Sequence, residues 1–172
     1  MKMDLRNYIR SIYDFPKKGV IFRDITPLLL SPEATNEALA QLCDHVKGLG
    51  VTKVAAVESR GFFFGSLIAH QLGVGYVPVR KKGKLPFDTL SVTYDLEYGT
   101  DSLEIHTDAI RKGDKVLIHD DVLATGGTAE AVVKLIEKAG GEVVQFSFLM
   151  ELKALKGIEK LHGYPVRFLM EF

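Results

Sequence analysis

Apolar residues along this chain follow two different spacings, and each spacing predicts its own kind of element. Short, largely apolar runs, typical of buried parallel strands, occur at residues 54–57, 76–79, 103–106, 116–118, 142–150 and 166–170. Apolar positions at helical spacing occur at residues 3–12, 32–49, 62–72 and 129–139. Strands that alternate with helices predict an α/β fold with a mostly parallel twisted sheet flanked by helices.

Cap and turn residues refine the expected element ends. Ser31 before Pro32 looks like an N-cap followed by proline at the first helical position, and we expect that helix to run to about Leu49. Pro78 has no backbone N–H, so the strand at 76–79 should end there or lie at a sheet edge.

Residues 80–98 break the alternating pattern. The segment begins with four cations within five residues and is long and polar for an ordinary connection. Long irregular loops inside compact domains are usually functional or disordered. We therefore expect a mobile lid over an anionic ligand, with a solvated surface loop as the alternative.

The stretch from Val116 to Thr128 carries the strongest chemical signal. An apolar run ends in two adjacent acids, Asp120 and Asp121, and a small turn rich in glycine and threonine precedes the next helix. Free N–H groups at a helix start carry partial positive charge, and glycines let a phosphate approach them closely. The acids repel a phosphate but suit sugar hydroxyls or a hydrated Mg²⁺. The stretch therefore predicts a sugar-phosphate site.

Composition narrows the class of protein. The chain has 172 residues, of which 47% are hydrophobic and 26% charged, values ordinary for one globular domain with a sizeable core. Acids and bases balance at 22 each, which argues against a general nucleic-acid binder. The single cysteine, Cys43, excludes an internal disulfide, and no apolar run has the ~18 residues of a membrane span. We expect a cytoplasmic protein that binds neither membrane nor nucleic acid.

Competing ligand motifs are missing from the sequence. No G-x-x-x-x-G-K-[ST] loop is present, and no G-x-G-x-x-G follows a strand, so the sequence argues against a P-loop enzyme and against dinucleotide binding. The histidines show no metal-ligand spacing, so we expect no metal site made by protein side chains. Cys43 and His119 are more simply explained by packing than by chemistry.

Three strand ends carry unusual polar groups, at residues 58–61, 80–84 and 120–128. Ligands of open parallel sheets bind beyond the carboxyl ends of the strands. A site built from these ends would hold one phosphate in the turn, a ribose beside the acids and a second anionic group beside Arg60 and the lysines. For each basic cluster taken alone, a solvated loop remains the alternative.

Residues 120–128 resemble the phosphoribosyl-pyrophosphate (PRPP) motif of the type I phosphoribosyltransferases. Four further blocks are similar, in order and spacing, to the branch of that family that acts on adenine: residues 15–27, 58–62, 80–86 and 96–99. The resemblance covers nearly the whole chain. It implies the type I phosphoribosyltransferase fold in one domain over 1–172, with a small N-terminal hood at about 1–30 and a flexible catalytic loop at about 80–98. His119 departs from the pattern, since an aliphatic residue is expected before the acids.

The resemblance implies a purine-salvage reaction in which adenine and PRPP give AMP and pyrophosphate. It assigns the 5-phosphate of PRPP to the turn and the ribose hydroxyls to the acid pair. By position, the phosphate-binding residues are Ala124, Thr125, Gly126, Gly127 and Thr128, and the ribose-binding residues are Asp120 and Asp121.

The resemblance also implies a group of pyrophosphate-binding residues, and family members often have a non-proline cis peptide near them. These residues are Ser59, Arg60, Arg80, Lys81 and Lys84. Arg60, Lys81 and Lys84 are expected to stabilise the leaving group, and Glu97 is expected to handle the proton at the purine. Tyr98 accompanies Glu97.

The base, the metal and the assembly complete what the resemblance implies. The adenine-binding residues are Ile21, Phe22, Arg23 and Val122, with main-chain groups of Ile21 and Arg23 at the edge of the base. Mg²⁺ is expected to bind mainly through PRPP, the ribose hydroxyls and water, and the protein is expected to be a homodimer whose cations are shared across the interface. Two alternatives stay open: a phosphoribosyltransferase for another base, and a non-catalytic PRPP or nucleotide-binding regulator.

Overall fold

The computed structural model describes residues 3–95 and 99–172, which form two compact units, Met1–Gln41 and Leu42–Phe172. In the first unit, a 3₁₀ turn at Leu5–Tyr8 precedes strand β1, Arg10–Tyr13, which pairs antiparallel with β2, Ile21–Asp24. The helix predicted over 3–12 is therefore wrong beyond Tyr8. Apolar residues at helical spacing are outweighed there by pairing with a strand that lies about ten residues later, a contact that local spacing does not report.

Two helices follow β2. Helix α1, Thr26–Leu30, is short, and helix α2, Pro32–Asp44, begins after Ser31, whose hydroxyl accepts a hydrogen bond from the N–H of Ala34 at 3.2 Å. The predicted N-cap is thus confirmed. The predicted end near Leu49 is wrong, because α2 ends at Asp44 and irregular turns occupy the next residues.

The second unit is built on a seven-stranded sheet in the order β5-β6-β4-β3-β7-β8-β9. Its elements, in chain order, are β3 (Lys53–Val57), α3 (Gly61–Leu72), β4 (Gly75–Lys81), β5 (Thr89–Asp95), β6 (Thr100–His106), β7 (Lys115–Leu123), α4 (Gly127–Lys138), β8 (Glu142–Glu151) and β9 (Val166–Glu171). Strands β4, β3, β7, β8 and β9 run parallel, whereas β5 and β6 pair antiparallel at one edge. The α/β fold with a mostly parallel sheet is confirmed.

Residues 80–98 are more regular than the sequence predicted. Strand β5 pairs with β6 over seven residues, from Thr89 opposite His106 to Asp95 opposite Thr100. An irregular loop is therefore wrong for Thr89–Asp95, where β-branched and aromatic residues favour a strand once a partner is available. Strand β4 also continues past Pro78 to Lys81. Strand β6 pairs with β4 only at Arg80 and Lys81, so Pro78, which has no backbone N–H, has no pairing partner on that side.

The core of the second unit lies between the sheet and helix α4. Buried side chains of β7 and β8, including Ile118, Phe146 and Phe148, pack with the apolar face of α4, which contributes Val132 and Leu135. The strongly apolar interior strands hold the carboxyl ends of β3 and β7 side by side. No helix in the described part of the chain is long and apolar enough to cross a membrane.

Candidate active site

The site is formed where the neighbouring parallel strands β4, β3 and β7 end. Strand β3 leads into residues 58–60, β4 ends with Arg80 and Lys81, and β7 ends just before residues 124–128. The three polar strand ends predicted from the sequence therefore lie side by side, at the carboxyl ends of neighbouring strands. Since β3 lies between β4 and β7, residues 58–60 are at the centre of this row.

Residues 124–128, here called the phosphate turn, connect β7 to α4. Gly126 adopts the left-handed conformation at φ +80°, and α4 begins at Gly127. The turn lines a pocket together with Asp120, Val122, Leu123, Ala129 and Phe148. The first N–H groups of a helix have no partner within the helix and attract anions. The pocket therefore offers backbone donors to an anion, beside a carboxylate.

The acid pair lies within strand β7 rather than after it. The sequence placed the strand end at Ile118, but β7 extends to Leu123, so the side chains of Asp120 and Asp121 point to opposite faces of the sheet. Asp120 lines the pocket of the phosphate turn. Asp121 is 3% exposed and forms an ion pair with Arg60, with Nε 3.1 Å from Oδ2. The two acids, which the sequence treats alike, have different surroundings.

Burial and the proximity of a second carboxylate shift the titration of this pair. Burial, and then the charge of Asp121, raise the pKa of Asp120 well above its usual value. Burial also raises the pKa of Asp121, although Arg60 opposes the rise. Asp120 accepts a hydrogen bond from the N–H of Asp121 at 2.8 Å, which fixes its carboxylate. A polar ligand that donates hydrogen bonds to Asp120 would stabilise its ionised form.

Gly61 explains how α3 can start so close to these acids. A Cβ atom at Gly61 would lie 3.1 Å from both Oδ1 of Asp120 and the main-chain oxygen of His119. Glycine lets the helix start this close to β7 without displacing either group. The close approach brings Arg60, immediately before α3, within reach of Asp121.

His119 is a buried, uncharged residue. Its side chain is fully buried, its Nδ1 lies 3.4 Å from the Ser147 hydroxyl, and burial lowers its pKa to about 3. An imidazole that stays neutral in this way fills space in the sheet, as the sequence predicted. An imidazole that burial keeps neutral thus occupies the position where the resemblance predicts an aliphatic residue.

The cations predicted to bind pyrophosphate are held by carboxylates. Glu58 lies 3.3 Å from Nε of Arg80 and 3.5 Å from Nζ of Lys84, and it accepts the N–H of Lys81 at 2.9 Å. The Lys81 ammonium lies 3.2 Å from Asp101. Burial alone would raise the pKa of Glu58, but the Lys81 N–H and the two cations lower it. Glu58 is therefore an anion around which the cations gather.

Sequence reasoning missed the roles of Glu58 and Asp101 as partners of these cations. For Glu58 the sequence offered a signal, because an acid at the end of a buried strand lies beside the basic residues that end the neighbouring parallel strand. For Asp101 the sequence offered no signal, because only the antiparallel pairing of β4 with β6 brings it to Lys81. The non-proline cis peptide expected near Ser59 is present at Glu58–Ser59.

The residues predicted to surround a base lie in both units. Val122 lines the pocket of the phosphate turn. In the first unit, Ile21 is exposed, the rings of Phe22 and Phe15 meet edge to face at 5.3 Å, and Arg23 donates a hydrogen bond to the Ser11 hydroxyl. Glu97 and Tyr98 lie outside the described residues.

Within residues 3–95 and 99–172, no group of three or more histidine, cysteine, aspartate or glutamate side chains is placed to hold a metal ion. The polar groups at the phosphate turn are the carboxylate of Asp120, the hydroxyls of Thr125 and Thr128, and backbone groups. Such a set suits Mg²⁺ held largely by water and phosphate oxygens.

Comparison with known proteins agrees with this architecture. The model of the family described as phosphoribosyl transferase domain matches residues 25–167. An adenine phosphoribosyltransferase of Flavobacterium johnsoniae is 61% identical over 164 residues, covering 95% of this chain and 96% of the relative. The crystal structure of adenine phosphoribosyltransferase from Thermoanaerobacter pseudethanolicus superposes with a TM-score of 0.95 at 52% identity, covering 98% of each chain.

A more distant solved structure is similar as well. Adenine phosphoribosyltransferase from Saccharomyces cerevisiae, solved in complex with an imino-altritol bisphosphate and adenine, is 38% identical with a TM-score of 0.90 and 96% coverage of each chain. The family model matches residues 25–167, and the sequence relative and solved structures cover 95% or more of the chain. The chain belongs to the phosphoribosyltransferase family, in its adenine phosphoribosyltransferase branch.

Proposed function

We propose that this protein transfers the 5-phosphoribosyl group of PRPP to adenine, giving AMP and pyrophosphate, and so acts in purine salvage. The observation that carries the proposal is the phosphate turn: backbone N–H groups at the start of α4 open into a pocket that Asp120 also lines. An anion and a sugar hydroxyl are the two ligands that such neighbours suit. Membership of the adenine phosphoribosyltransferase branch supports adenine as the acceptor.

In this proposal the phosphate turn holds the 5-phosphate through Ala124, Thr125, Gly126, Gly127 and Thr128. Asp120 accepts hydrogen bonds from the ribose hydroxyls, because its carboxylate lines the same pocket. Asp121, whose side chain points to the opposite face of β7, acts on the ribose indirectly as the partner of Arg60, whose guanidinium it holds at 3.1 Å. The ribose is thereby fixed between the phosphate turn and residues 58–60.

Pyrophosphate leaves from C1 of the ribose, which becomes oxocarbenium-like as in glycoside cleavage. We assign its growing negative charge to Arg60, Arg80, Lys81 and Lys84, together with Ser59 beside the cis peptide. Three of these cations are held by Glu58 and Asp101, so they are gathered before any substrate binds. Fixed cations stabilise developing charge because they need not reorganise during the reaction.

Adenine attacks from the face opposite to pyrophosphate, and holding both reactants in line can supply about 7–11 kcal/mol of the barrier at best. We assign the base to Ile21, Phe22, Arg23 and Val122. When N9 of adenine bonds to C1 of the ribose, the purine loses a proton, and the proposal assigns acceptance of this proton to the carboxylate of Glu97. Mg²⁺, when bound through PRPP, ribose hydroxyls and water, supplies positive charge to the pyrophosphate oxygens.

Water must be excluded from the activated sugar, so we propose that the segment at residues 80–98 closes during turnover. Its exposed lysines make closure measurable. Trypsin should cut after Lys81, Lys82 or Lys84 in the free enzyme, and saturating PRPP should suppress the cut. Equal cleavage with and without PRPP would contradict closure.

We also propose a cytoplasmic homodimer whose cations are shared between subunits. An apolar pair one helical turn apart supports an interface on α3: Phe63 is 47% exposed and Leu67 is 37% exposed. The buried, unbridged Cys43 is compatible with a reducing compartment. Light scattering should give a mass twice that of one chain. In the Phe63→Ser variant, the measured mass should fall toward that of one chain.

Turnover of labelled adenine with PRPP tests the proposed function. The expected products are AMP and pyrophosphate, formed faster from adenine than from hypoxanthine, guanine, xanthine or orotate. Faster turnover of another base would show that this base, and not adenine, is the acceptor. A protein that binds PRPP but turns over no base would be a regulator, and the proposed activity would be wrong.

A further inference from the structure

A glycine distant in sequence forms the back of the phosphate turn. Gly157 is buried and opens a 3₁₀ helix, Gly157–Leu161, that follows β8. A Cβ atom at Gly157 would lie 2.2 Å from the main-chain oxygen of Ala124 and 2.9 Å from the nitrogen of Gly126. The reverse is also true, since a Cβ at Gly126 would lie 2.4 Å from the oxygen of Gly157. Two backbones therefore meet with no side chain between them.

The same 3₁₀ helix brings a cation to the start of α4. Nζ of Lys160 lies 3.8 Å from the position that a Cβ atom of Gly127 would occupy. The four cations assigned to pyrophosphate each have a carboxylate within 3.5 Å. Lys160 differs from them, because no carboxylate of the residues described here forms an ion pair with it.

We propose that residues 157–161 are a second wall of the 5-phosphate site, an inference that rests on the proposed function. Gly157 is a positioning residue that sets the conformation of the phosphate turn from behind. Lys160 binds the phosphate, adding a full positive charge to the partial charge of the helix start. Neither residue belongs to the sequence motif of the turn.

The two contributions are physically distinct. Backbone N–H groups recognise a phosphate only when they converge, and the contact with Gly157 fixes the peptides of Ala124 and Gly126 that must converge. Lys160 acts through charge, on a flexible stem that can follow a phosphate oxygen. Because no carboxylate among residues 3–95 and 99–172 forms an ion pair with it, binding the phosphate breaks none of the ion pairs described here. Its contribution should weaken as salt screens it, whereas that of Gly157 should not.

Ribose 5-phosphate is the probe that isolates this half of the substrate, and pyrophosphate is the comparison ligand. Calorimetric titration should show that Gly157→Ala weakens ribose 5-phosphate about tenfold or more, a change equivalent to about 1.4 kcal/mol. Lys160→Gln should weaken it about threefold to tenfold at low salt and less at high salt. Pyrophosphate affinity should stay unchanged in both variants.

Each variant has a matched control. Gly141→Ala crowds Ile110 and Ile136 at the far end of α4, so it tests general destabilisation by a glycine replacement. Lys156→Gln removes the same charge from an exposed residue of the same segment. Both controls should bind ribose 5-phosphate like the wild type. If Gly141→Ala weakens binding as much as Gly157→Ala does, the positioning role is overturned.

A further variant separates this inference from the proposed function. Thr125→Ala, inside the phosphate turn, should weaken ribose 5-phosphate. If it does, and Lys160→Gln and Gly157→Ala both bind like the wild type, the second wall is wrong and the phosphate turn stands. If wild type and Thr125→Ala bind equally, or the wild type does not bind, the phosphate turn itself is misassigned and both proposals fail.

Discussion

The phosphate turn and the cationic segment Arg80–Lys84, which comprises the end of β4 and the turn after it, bind anions in opposite ways. The phosphate turn uses neutral backbone donors, supported by buried strand β7, helix α4 and the backbone of Gly157. The cationic segment uses charged side chains that are partly exposed and already hold carboxylates of the protein. Among the described residues no ion pair has to break for an anion to enter the phosphate turn, whereas an anion at the cationic segment must compete with Glu58 and Asp101.

This difference matches the two ends of the proposed substrate. The 5-phosphate stays on the ribose throughout the reaction, so a rigid set of donors suits it. Pyrophosphate must leave, and cations that can return to protein carboxylates allow its release. If the cationic segment bound pyrophosphate too tightly, turnover would slow, since product release limits the rate of many enzymes.

Removal of the proposed proton-handling group should give the largest effect and leave both anion regions intact. Glu97→Leu should lower kcat about 100-fold or more, the range for lost general acid–base catalysis, with little change in the KM for PRPP. Steady-state kinetics measures both constants. An unchanged kcat would remove Glu97 from the chemistry, and a raised KM alone would place it in binding.

Gly126→Ala should break the turn selectively. Gly126 and Gly83 both adopt φ +80°, but a Cβ at Gly126 would meet Gly157 at 2.4 Å, whereas nothing lies within 4 Å of one at Gly83. Displacement of the turn by a fraction of an ångström or more should raise the KM for PRPP about 100-fold. Gly83→Ala, in the cationic segment, introduces the same backbone strain without the clash and should raise the KM for PRPP far less. An equal rise in KM for both variants would show that the cationic segment is as rigid as the phosphate turn.

Asp120→Asn should separate stability from binding. Burial raises the folded-state pKa of Asp120, so its ionisation destabilises the fold at pH values above the ordinary carboxyl range. The amide should therefore raise the melting temperature at pH 7, by ~2–4 °C per kcal/mol regained, while weakening PRPP about tenfold. The stability gain should vanish as the pH falls to where both states are protonated.

The control for this variant is Asp108→Asn, which removes an exposed carboxylate after β6. Its stability and affinity should change little. A less stable Asp120→Asn at pH 7 would mean that the ionised carboxylate is favoured by the fold, contrary to the direction assigned to its pKa.

The smallest expected effect tests whether protein carboxylates compete with pyrophosphate for the cations of the cationic segment. Asp101→Asn frees Lys81 from its ion pair, so pyrophosphate should bind about twofold to threefold more tightly at low salt, in line with the small energies of exposed ion pairs. Ribose 5-phosphate should bind unchanged. Asp108→Asn controls for the loss of one negative charge, and equal tightening in both variants would indicate a general field effect.

The phosphate turn was the part of the site most open to prediction from sequence, because strand, turn and helix are adjacent in the chain. Local spacing placed α3, α4 and the strands β3, β8 and β9 correctly to within a residue or two. In each of these elements, the spacing of the apolar residues matches the side of the element that the fold buries. Local signals and tertiary packing agree there, so the sequence alone was enough.

Prediction failed where distant residues decide the structure. Strand β1 was read as helix and β5 as loop, since each becomes a strand only through an antiparallel partner. The strand ending at Ile118 was extended to Leu123 by pairing with β8, which separated the two acids onto opposite faces. The ion pair of Lys81 with Asp101 and the contact of Gly157 with the phosphate turn had no local signal.

A crystal structure with bound AMP tests the central claim most directly. The account predicts phosphoryl oxygens at about 2.7–3.2 Å from main-chain N–H groups of residues 124–128, with ribose hydroxyls on Asp120. Phosphoryl oxygens bound elsewhere on the protein, with the phosphate turn empty, would contradict it.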